Sequence, residues 1–256
     1  MHQTKTAIRF AFVSAAPLQL VDGLTIADEL VVLHLYPRQK RDYSLGNITR
    51  SVVMAVYADL FLSNRVELYE PSELTWFRRA FYRNEGGHRF RVRLLDGAPP
   101  TGDELIDRFM KQIPGYEKHD LGWVIKHNDK LWIEFSHRLT ERGVLGEPIK
   151  KHRGAREVDP NFEHRLRDRL RGALHGVDAP EDDHTSAVLL LAQAAELFRP
   201  GSGERELVGP IDDAMLDQRI QGLATRPSLA RTNFLAKALI QFRVEDQADS
   251  RAAATP

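Results

Sequence analysis

The chain has 256 residues, of which 42% are hydrophobic and 28% charged, a balance typical of an ordinary globular protein. Its 36 basic and 36 acidic residues cancel, so no overall field attracts nucleic acid or anionic lipid, and any attraction must come from local patches. The absence of cysteine excludes disulfides, thiol catalysis and thiolate metal sites. The sequence also lacks a run of about eighteen apolar residues, so it predicts no helix that spans a bilayer.

The chain shows no internal repeat and no long linker, so we expect one domain over residues 24–245. We interpret residues 1–23 as an N-terminal extension, since Pro17 and Gln19 interrupt the apolar stretch that a targeting signal needs. A weak secretory or organellar signal is the alternative. Residues 246–256, rich in Ala, Asp and Ser, predict a disordered tail.

Residues 24–36 predict the central helix of the core. Thr25 and Asp28 have the spacing of a capping box, and Pro37 ends the segment. Because the segment is apolar almost all round, it suits a helix that is buried on every side.

A second buried helix and a short strand follow a polar turn. Asn47 can cap a helix that runs to Leu62, in which apolar residues recur at helical spacing. Asn64 suits the left-handed position that ends a helix. Residues 66–69 then predict a short strand.

A β-hairpin is predicted in the next part of the chain. Residues 88–95 alternate strictly, with apolar side chains on one side and arginines on the other. The arginines are Arg89, Arg91 and Arg93. Gly86 and Gly87 separate this strand from the aromatic run at residues 76–82, which is the pattern of a tight turn between two strands.

The sharpest helix start follows Pro99 and Pro100, which cannot continue a helix. Thr101 followed by Glu104 predicts a capping box, and the next residues form an apolar stripe at helical spacing. The stripe comprises Leu105, Ile106, Phe109, Met110 and Ile113. We therefore expect an amphipathic helix docked on the core.

The second half of the chain predicts further helices. One ends at Gly143 in the manner of a glycine C-cap, and the next begins at Asp159 and Pro160. More helices are expected at residues 185–198, 211–223 and 228–242. The predicted fold class is therefore mainly α: a single globular domain, with a buried central helical bundle surrounded by amphipathic helices and a small β-hairpin.

Several charged residues in these helices have ordinary structural explanations. Glu163 with Arg167, and Asp168 with Arg171, have the spacing of helix salt bridges. The acids at residues 181–183 suit the positive end of the helix that follows them. We predict structural roles for these residues rather than ligand contacts.

Catalytic and metal-binding signatures are absent from the sequence. It contains neither the glycine-rich dinucleotide fingerprint nor a phosphate-binding loop with its lysine. Glu134 and His137 form a single Glu-x-x-His pair, whereas di-metal bundles need two such motifs and further carboxylates. We therefore predict no enzymatic activity, no cofactor and no metal site.

Two basic patches are candidate contact surfaces for anions. In residues 78–93, six arginines and one glutamate are interleaved with aromatic residues, and the strand arginines could grip phosphate oxygens. A solvated strand face, or an edge strand charged against aggregation, explains the same pattern. Residues 150–156 carry four positive charges and no negative one, which suits either an anionic bilayer or an exposed loop.

Nucleic acid competes for both patches, because the electrostatics of its phosphates are the same. The neutral overall charge and the lack of a recognisable nucleic-acid module argue against it. We therefore predict no nucleic-acid partner.

Five segments in order resemble the Golgi phosphoprotein 3 family across residues 24–242. They are LTIADELVVLHL, AVYADLFLSNRVEL, PPTGDELID, LTERGVL and AVLLLAQAAELF. The family's Glu-Leu-x-Leu-x-x-Arg pattern is present as Asp59, Leu60, Leu62 and Arg65. The resemblance implies a mainly helical fold, no enzymatic activity and binding of phosphatidylinositol 4-phosphate on a membrane face. Eukaryotic members also act as adaptors that retain glycosyltransferases in the Golgi.

The family's headgroup site is not retained residue by residue. Eukaryotic members use a tryptophan in the turn before the second helix, an arginine nine residues after that tryptophan and two arginines ahead of the Gly-Val-Leu segment. The aligned positions here hold Ser44, Val53, Asp129 and Trp132. Tyr43, Arg50 and Lys130 lie close to these positions in the sequence and predict a remodelled anion pocket. The family's apolar loop is replaced by the basic residues 146–156, so membrane contact should be electrostatic and salt-sensitive.

The leading hypothesis is a non-enzymatic, cytoplasmic protein that associates peripherally with membranes through anionic phospholipid. Its predicted lipid- or anion-binding residues are Tyr43, Arg50, Arg89, Arg91, Arg93, Lys130, Lys150, Lys151 and Arg153. The alternative is a protein-interaction scaffold or oligomerising adaptor, in which the arginine-rich hairpin pairs with a second subunit or an acidic partner. The departures from the eukaryotic pattern point to a bacterial source.

Overall fold

Helices make up most of the structure, a computed structural model that describes residues 15–36, 45–69, 91–117, 119–148, 156–175, 182–200 and 202–253. The helices are α1 (Ile26–Leu35), α2 (Leu45–Leu62), α3 (Glu104–Tyr116), α4 (Leu121–His127), α5 (Leu131–Glu141), α6 (Pro160–His175), α7 (Asp183–Ala194), α8 (Gly203–Val208), α9 (Asp213–Ala224) and α10 (Ala230–Ala253). A short 3-10 helix, Pro227–Leu229, leads into α10, which continues past the predicted domain end at residue 245. The predicted mainly α fold is confirmed.

Two small antiparallel sheets accompany the helices. Strand β1 (Val66–Tyr69) pairs with β2 (Arg91–Leu94), and β3 (Leu145–Pro148) pairs with β4 (Arg156–Val158). The sequence predicts both strands of the first sheet. The aromatic run predicted as the partner of β2, and the turn between them, lie outside the described residues.

Helix α1 is buried along its whole length and lies at the centre of the core. It packs against α2, α5 and α7. The predicted capping box is confirmed: the Asp28 N–H donates to Thr25 Oγ1 at 3.1 Å, and the Thr25 N–H donates to Asp28 Oδ2 at 3.1 Å. A helix buried on all sides needs a partner for every charge that it carries.

One arginine joins α1 to two neighbouring helices. Arg138, near the end of α5, places Nη2 2.6 Å from Asp28 Oδ1 and Nη1 2.6 Å from Asp103 Oδ2. Asp103 is the N-cap of α3. The Arg138 guanidinium therefore ties the beginnings of α1 and α3 to the end of α5.

The second acid of α1, Glu29, faces two cations. His184 Nε2, on α7, lies 3.2 Å from Glu29 Oε1. Arg169 Nη2, on α6, lies 2.7 Å from Glu29 Oε2, as an ion pair without hydrogen-bond alignment. The other ring nitrogen of His184 is 2.6 Å from the Gln19 carbonyl oxygen. Both ring nitrogens thus lie within hydrogen-bond distance of an acceptor oxygen, an arrangement that favours the positively charged imidazolium.

Asp59, on α2, caps the same end of α1. Its carboxylate accepts the N–H groups of Ile26 at 3.1 Å and Ala27 at 3.2 Å. Burial raises the pKa of Asp59 to about 7, although His184 and these two donors oppose the shift. Burial alone would lower the pKa of His184, but its hydrogen bond to Glu29 and the nearby acids raise it above the usual value.

Arg65, which is 3% exposed, fixes the approach of the chain to α3. Its guanidinium donates to three carbonyl oxygens that belong to other segments: Pro99 at 3.0 Å, Pro100 at 3.1 Å and Ala16 at 2.6 Å. Arg65 and Asp59 both belong to the motif that carries the family resemblance. In this structure both hold backbone groups, so their roles are structural.

The predicted cap of α3 is wrong by two residues. Asp103, not Thr101, accepts the Ile106 N–H, at 3.0 Å. Thr101 donates its hydroxyl to Asp107 at 2.7 Å instead. Gly102, at φ 86°, turns the chain between Thr101 and Asp103, and the helix begins after this turn with Asp103 as its cap.

Two other predictions, the cap at Asn47 and the salt bridge of Asp168 with Arg171, are wrong because the side chain binds a partner that is distant in the sequence. Helix α2 starts before Asn47, whose side-chain amide donates to the Ala195 carbonyl at 3.0 Å. Arg171 donates through Nε to the Leu207 carbonyl at 3.2 Å rather than pairing with Asp168. Both side chains bridge two helical regions, which local spacing does not reveal.

Signals that depend on near neighbours are confirmed. Asn64 has φ 52° and Gly143 has φ 71°, the left-handed geometry predicted for the ends of α2 and α5. The Asp159 carboxylate accepts a backbone N–H from the first turn of α6 at 2.8 Å. Glu163 and Arg167 form the predicted ion pair.

We expect the free energy of unfolding to fall as pH rises from about 4 to about 8. Burial raises the pKa of Asp28 and Asp59, the latter to about 7, and the pKa of His184 is also raised. The folded protein therefore binds more protons than the unfolded chain in this interval. Their stabilisation is complete below the unfolded carboxyl pKa and is lost as they dissociate from the folded state. Urea unfolding at several pH values measures this dependence.

The Asp59→Asn variant is the control for the pH dependence. Its amide cannot ionise, so its free energy of unfolding should decline less steeply with pH than that of the wild type. A wild-type stability that increases throughout this interval would contradict the expectation. An equal slope in the variant would show that Asp59 does not hold the proton.

Arg65→Ala should lower the free energy of unfolding by about 2–4 kcal/mol, because buried carbonyls lose their donor. Arg65→Lys should restore only part of this loss, since an ammonium cannot span the carbonyls that the guanidinium joins. Arg219→Ala, at an exposed position of α9, should change the stability by less than about 0.5 kcal/mol. Denaturant unfolding compares the three variants, and equal losses for both alanine variants would refute the role of Arg65.

Candidate anion-binding cleft

A surface cleft of about 210 Å³ lies where α4 turns into α5. It is called the α4–α5 cleft below. Helix α3 forms one wall, and the α4–α5 turn with the first turn of α5 forms the other. The lining residues are Arg108, Phe109, Gln112, His127, Asn128, Asp129, Lys130, Leu131 and Glu134.

Short-range hydrogen bonds fix the turn that borders the cleft. The Asn128 N–H donates to the Ile125 carbonyl at 3.1 Å, and its side-chain amide donates to the Val124 carbonyl at 2.8 Å. The Leu131 N–H donates to the Asn128 carbonyl at 3.1 Å. Lys130 is the N-cap residue of α5 and makes no side-chain cap, so no side chain caps the positive end of this helix.

The start of α2 lies against the same turn. Thr49 donates its hydroxyl to the Asp129 carbonyl at 3.2 Å. Arg50 follows Thr49 on α2, and Lys130 follows Asp129 in the turn. The structure therefore brings the chain segments of two sequence-predicted residues, Arg50 and Lys130, next to each other.

The formal charges that line the cleft are balanced. Arg108 and Lys130 are cationic, and Asp129 and Glu134 are acidic. Arg108 and Glu134 form an ion pair with each other across the cleft, whereas Lys130 forms no ion pair among the described residues. His127 is the further titratable lining group. Lys130 is therefore the cation of the cleft that no acid of the described chain neutralises.

The arginines of β2 are placed differently. Arg93 Nε lies 2.5 Å from Glu67 Oε1 on the adjacent strand, and its guanidinium stacks over the Tyr69 ring at 5.2 Å from the centroid. Arg91 is paired in register with Tyr69 and is half-buried. The charge of Arg93 is thus balanced within its own sheet.

The remaining predicted site residues fall outside the part of the chain that the structure describes. They are Tyr43, Arg89, Lys150, Lys151 and Arg153. Among the positions aligned with the family's headgroup site, Ser44 also lies outside, Val53 is fully buried in the core, and Trp132 packs partly against the core. Asp129 lines the cleft.

Sequence reasoning missed Arg108 and His127 as lining residues of the cleft. Arg108 sits on the polar side of α3, where its charge resembles that of any solvated helix face. Glu134 was singled out only through its spacing to His137, and its ion-pair partner is Arg108, 26 residues away in sequence. No local pattern marks a pair that only the packing of α3 against α5 creates.

The described residues include no group of three or more acids and histidines that could hold a metal ion. No helix in the described part of the chain is long and apolar enough to cross a bilayer. The fold and the cleft thus define a mainly helical protein with an open, charged surface cleft.

The family model for Golgi phosphoprotein 3 (GPP34) matches residues 26–245, and the chain belongs to this family. The match covers nearly the same span as the resemblance read from the sequence, which is confirmed. This family is not known as an enzyme family. No curated protein matches the chain.

Proposed function

We propose that this protein associates with the cytoplasmic surface of membranes by binding an anionic lipid headgroup in the α4–α5 cleft, without catalysing a reaction. The hydrogen bond between Thr49 and the Asp129 carbonyl carries the proposal, since it holds the helix that bears Arg50 against the turn that bears Lys130. Membership of the Golgi phosphoprotein 3 family supports it. By resemblance, the headgroup is that of phosphatidylinositol 4-phosphate.

The chemistry of the cleft suits a phosphate group. Helix α5 begins without a side-chain cap, and its positive dipole end favours an anion, while the Leu131 and Ile133 N–H groups already donate to backbone carbonyls. Lys130 stands at this end, and Arg108 adds a forked set of donors once its partner Glu134 is displaced.

The size of the cleft favours a headgroup over an acyl chain. Its 210 Å³ lie below the roughly 300 Å³ at which pockets for drug-sized ligands begin. Most lining residues are polar or charged, and Phe109 and Leu131 are the apolar ones among them. A lipid bound here would keep its hydrocarbon chains in the bilayer.

Further membrane contact would come from the basic segment that contains Lys150, Lys151 and Arg153. Each basic side chain near an anionic bilayer contributes on the order of 1 kcal/mol, and salt screens the attraction. Arg93 contributes less under this proposal, because Glu67 already balances its charge.

The scaffold hypothesis has less support than lipid binding. It needs the arginine-rich hairpin to offer free charge to a second subunit or an acidic partner. Arg93 pairs instead with Glu67 of the same sheet, and no contact among the described residues favours a partner chain at this edge.

Vesicle flotation tests the headgroup site. Lys130→Glu should weaken partition into vesicles that contain anionic lipid by at least about fivefold, since two units of charge are changed beside the cleft. Glu134→Gln should strengthen it, because Arg108 is released for the headgroup. Replacing Lys150, Lys151 and Arg153 together with glutamine should also weaken it, in a salt-dependent way.

Lys237→Glu is the matched control, because it makes the same charge change at an exposed position of α10 outside the cleft. It should weaken partition less than Lys130→Glu does. Equal partition of the wild type into neutral and anionic vesicles, or no partition at low salt, would overturn the proposal. Vesicles with phosphatidylinositol 4-phosphate, compared with phosphatidylglycerol at equal charge, test headgroup selectivity.

A further inference from the structure

Three aromatic rings stand in a stack on α4 and the residue pair before it. The centroids of His119 and Trp123 lie 3.6 Å apart with an interplanar angle of 9°, and those of Trp123 and His127 lie 3.5 Å apart at 20°. The indole is thus sandwiched between two imidazoles. His127 is exposed, the other two residues are half-buried, and His127 also lines the α4–α5 cleft.

The stack is held in place by the surrounding helix. The Asp120 carboxylate accepts the backbone N–H of Trp123 at 2.9 Å, and the Tyr116 ring meets the indole edge-on at 5.7 Å between centroids. His127 Nδ1 lies 2.9 Å from the Trp123 carbonyl. Because a carbonyl only accepts, His127 donates from Nδ1, and an added proton enters at Nε2 without breaking that bond.

Acidic, basic and other titratable groups from several elements surround His119 and His127. On α4 itself, Asp120 caps the helix and Lys126 is exposed. On α3, Glu117 follows the last turn, and Arg108 faces the cleft. The remaining groups are Tyr116 on α3, Arg50 on α2, Asp129 and Lys130 in the turn, and Glu134 on α5.

Two of these four acids are already engaged. Glu134 pairs with Arg108, and Asp120 is bound to a backbone N–H. Neither Lys126 nor Lys130 forms an ion pair within the described residues. Protonation of both imidazoles would therefore give this surface an excess of positive charge that complements an anionic bilayer.

We propose that the stack of His119, Trp123 and His127 is the surface that rests at headgroup level of an anionic phospholipid bilayer, and that acidification strengthens this docking. Tryptophan has an apolar body and a polar N–H, which suits the interface between lipid and water. Histidine changes its charge between about pH 5 and 8, and an imidazolium over an indole face gains from the cation–π attraction. The inference rests on the proposed lipid-binding function, and adds where the bilayer lies and what regulates its contact.

Partition into vesicles of phosphatidylglycerol and phosphatidylcholine, measured at pH 7.5 and pH 5.5 at constant ionic strength, tests the inference. Each added charge near such a surface contributes about fivefold, so the wild type should bind roughly 5- to 25-fold more strongly at pH 5.5. His119→Gln/His127→Gln should lose most of this increase, so the ratio of its binding at pH 5.5 to its binding at pH 7.5 should fall towards one. His127→Gln alone, at an exposed position, should lose part of it and serves if the double variant is unstable.

His164→Gln is the matched control. His164 is exposed on α6 and lies 3.2 Å from Asp168, away from the stack. It should keep the full response to pH, which separates the stack from a general rise in the charge of the protein. Trp123→Leu should weaken partition at both pH values, since the indole contact is lost whatever the charge.

The outcomes separate the inference from the function on which it rests. Binding to anionic vesicles that does not change with pH overturns the stack proposal and leaves headgroup binding intact. A wild-type response to pH in His119→Gln/His127→Gln overturns it as well. Complete removal of the pH-dependent increase by millimolar inorganic phosphate would assign that increase to a free anion instead of the bilayer, and would also overturn it. No binding at either pH, even at low salt, overturns both proposals.

Discussion

A helix that is buried on every side and still carries two carboxylates is the constraint on which this fold depends. Ionised carboxylates in a core are unstable unless cations and hydrogen-bond donors surround them. Arg138 from α5 forms an ion pair with Asp28. Arg169 from α6 and His184 from α7 both face Glu29. Each of these helices must therefore pack at one fixed position around α1. The apolar surfaces give the core its bulk, and the ion pairs fix its geometry.

The candidate cleft follows from the same arrangement. Arg138 lies near the end of α5 and also binds Asp103, the cap at the start of α3. The one guanidinium thus sets the orientation of both helices that line the cleft, which is formed by Arg108 on α3 and by the opposite end of α5 at Lys130. The geometry of a surface cleft is in this way supported by a buried ion pair far from it.

The sequence predicts those features that depend on residues close by in the chain. The capping box at Thr25 and Asp28 and the left-handed residue at Gly143 depend on residues three or four positions away, and both are confirmed. Side chains whose partners lie far along the chain escape such reasoning. Arg138 and Asp28 are 110 residues apart, and His184 and Glu29 are 155 residues apart. Lys130 in the cleft and Arg50 on the neighbouring helix α2 could be predicted from the family resemblance. Arg108 and the balance of charge at Arg93 could not, because each depends on a contact between separate elements.

The ion pair of Arg108 with Glu134 bears on which headgroups would bind in the cleft under the proposed function. The guanidinium is already occupied by an internal carboxylate, so an incoming group must compete with a tethered anion before it gains these donors. A phosphate monoester, with about two negative charges, meets that threshold better than the shielded single charge of a zwitterionic headgroup. Under the proposed function, Glu134 competes with the ligand for Arg108, so the cleft would favour groups of high charge density over other anions.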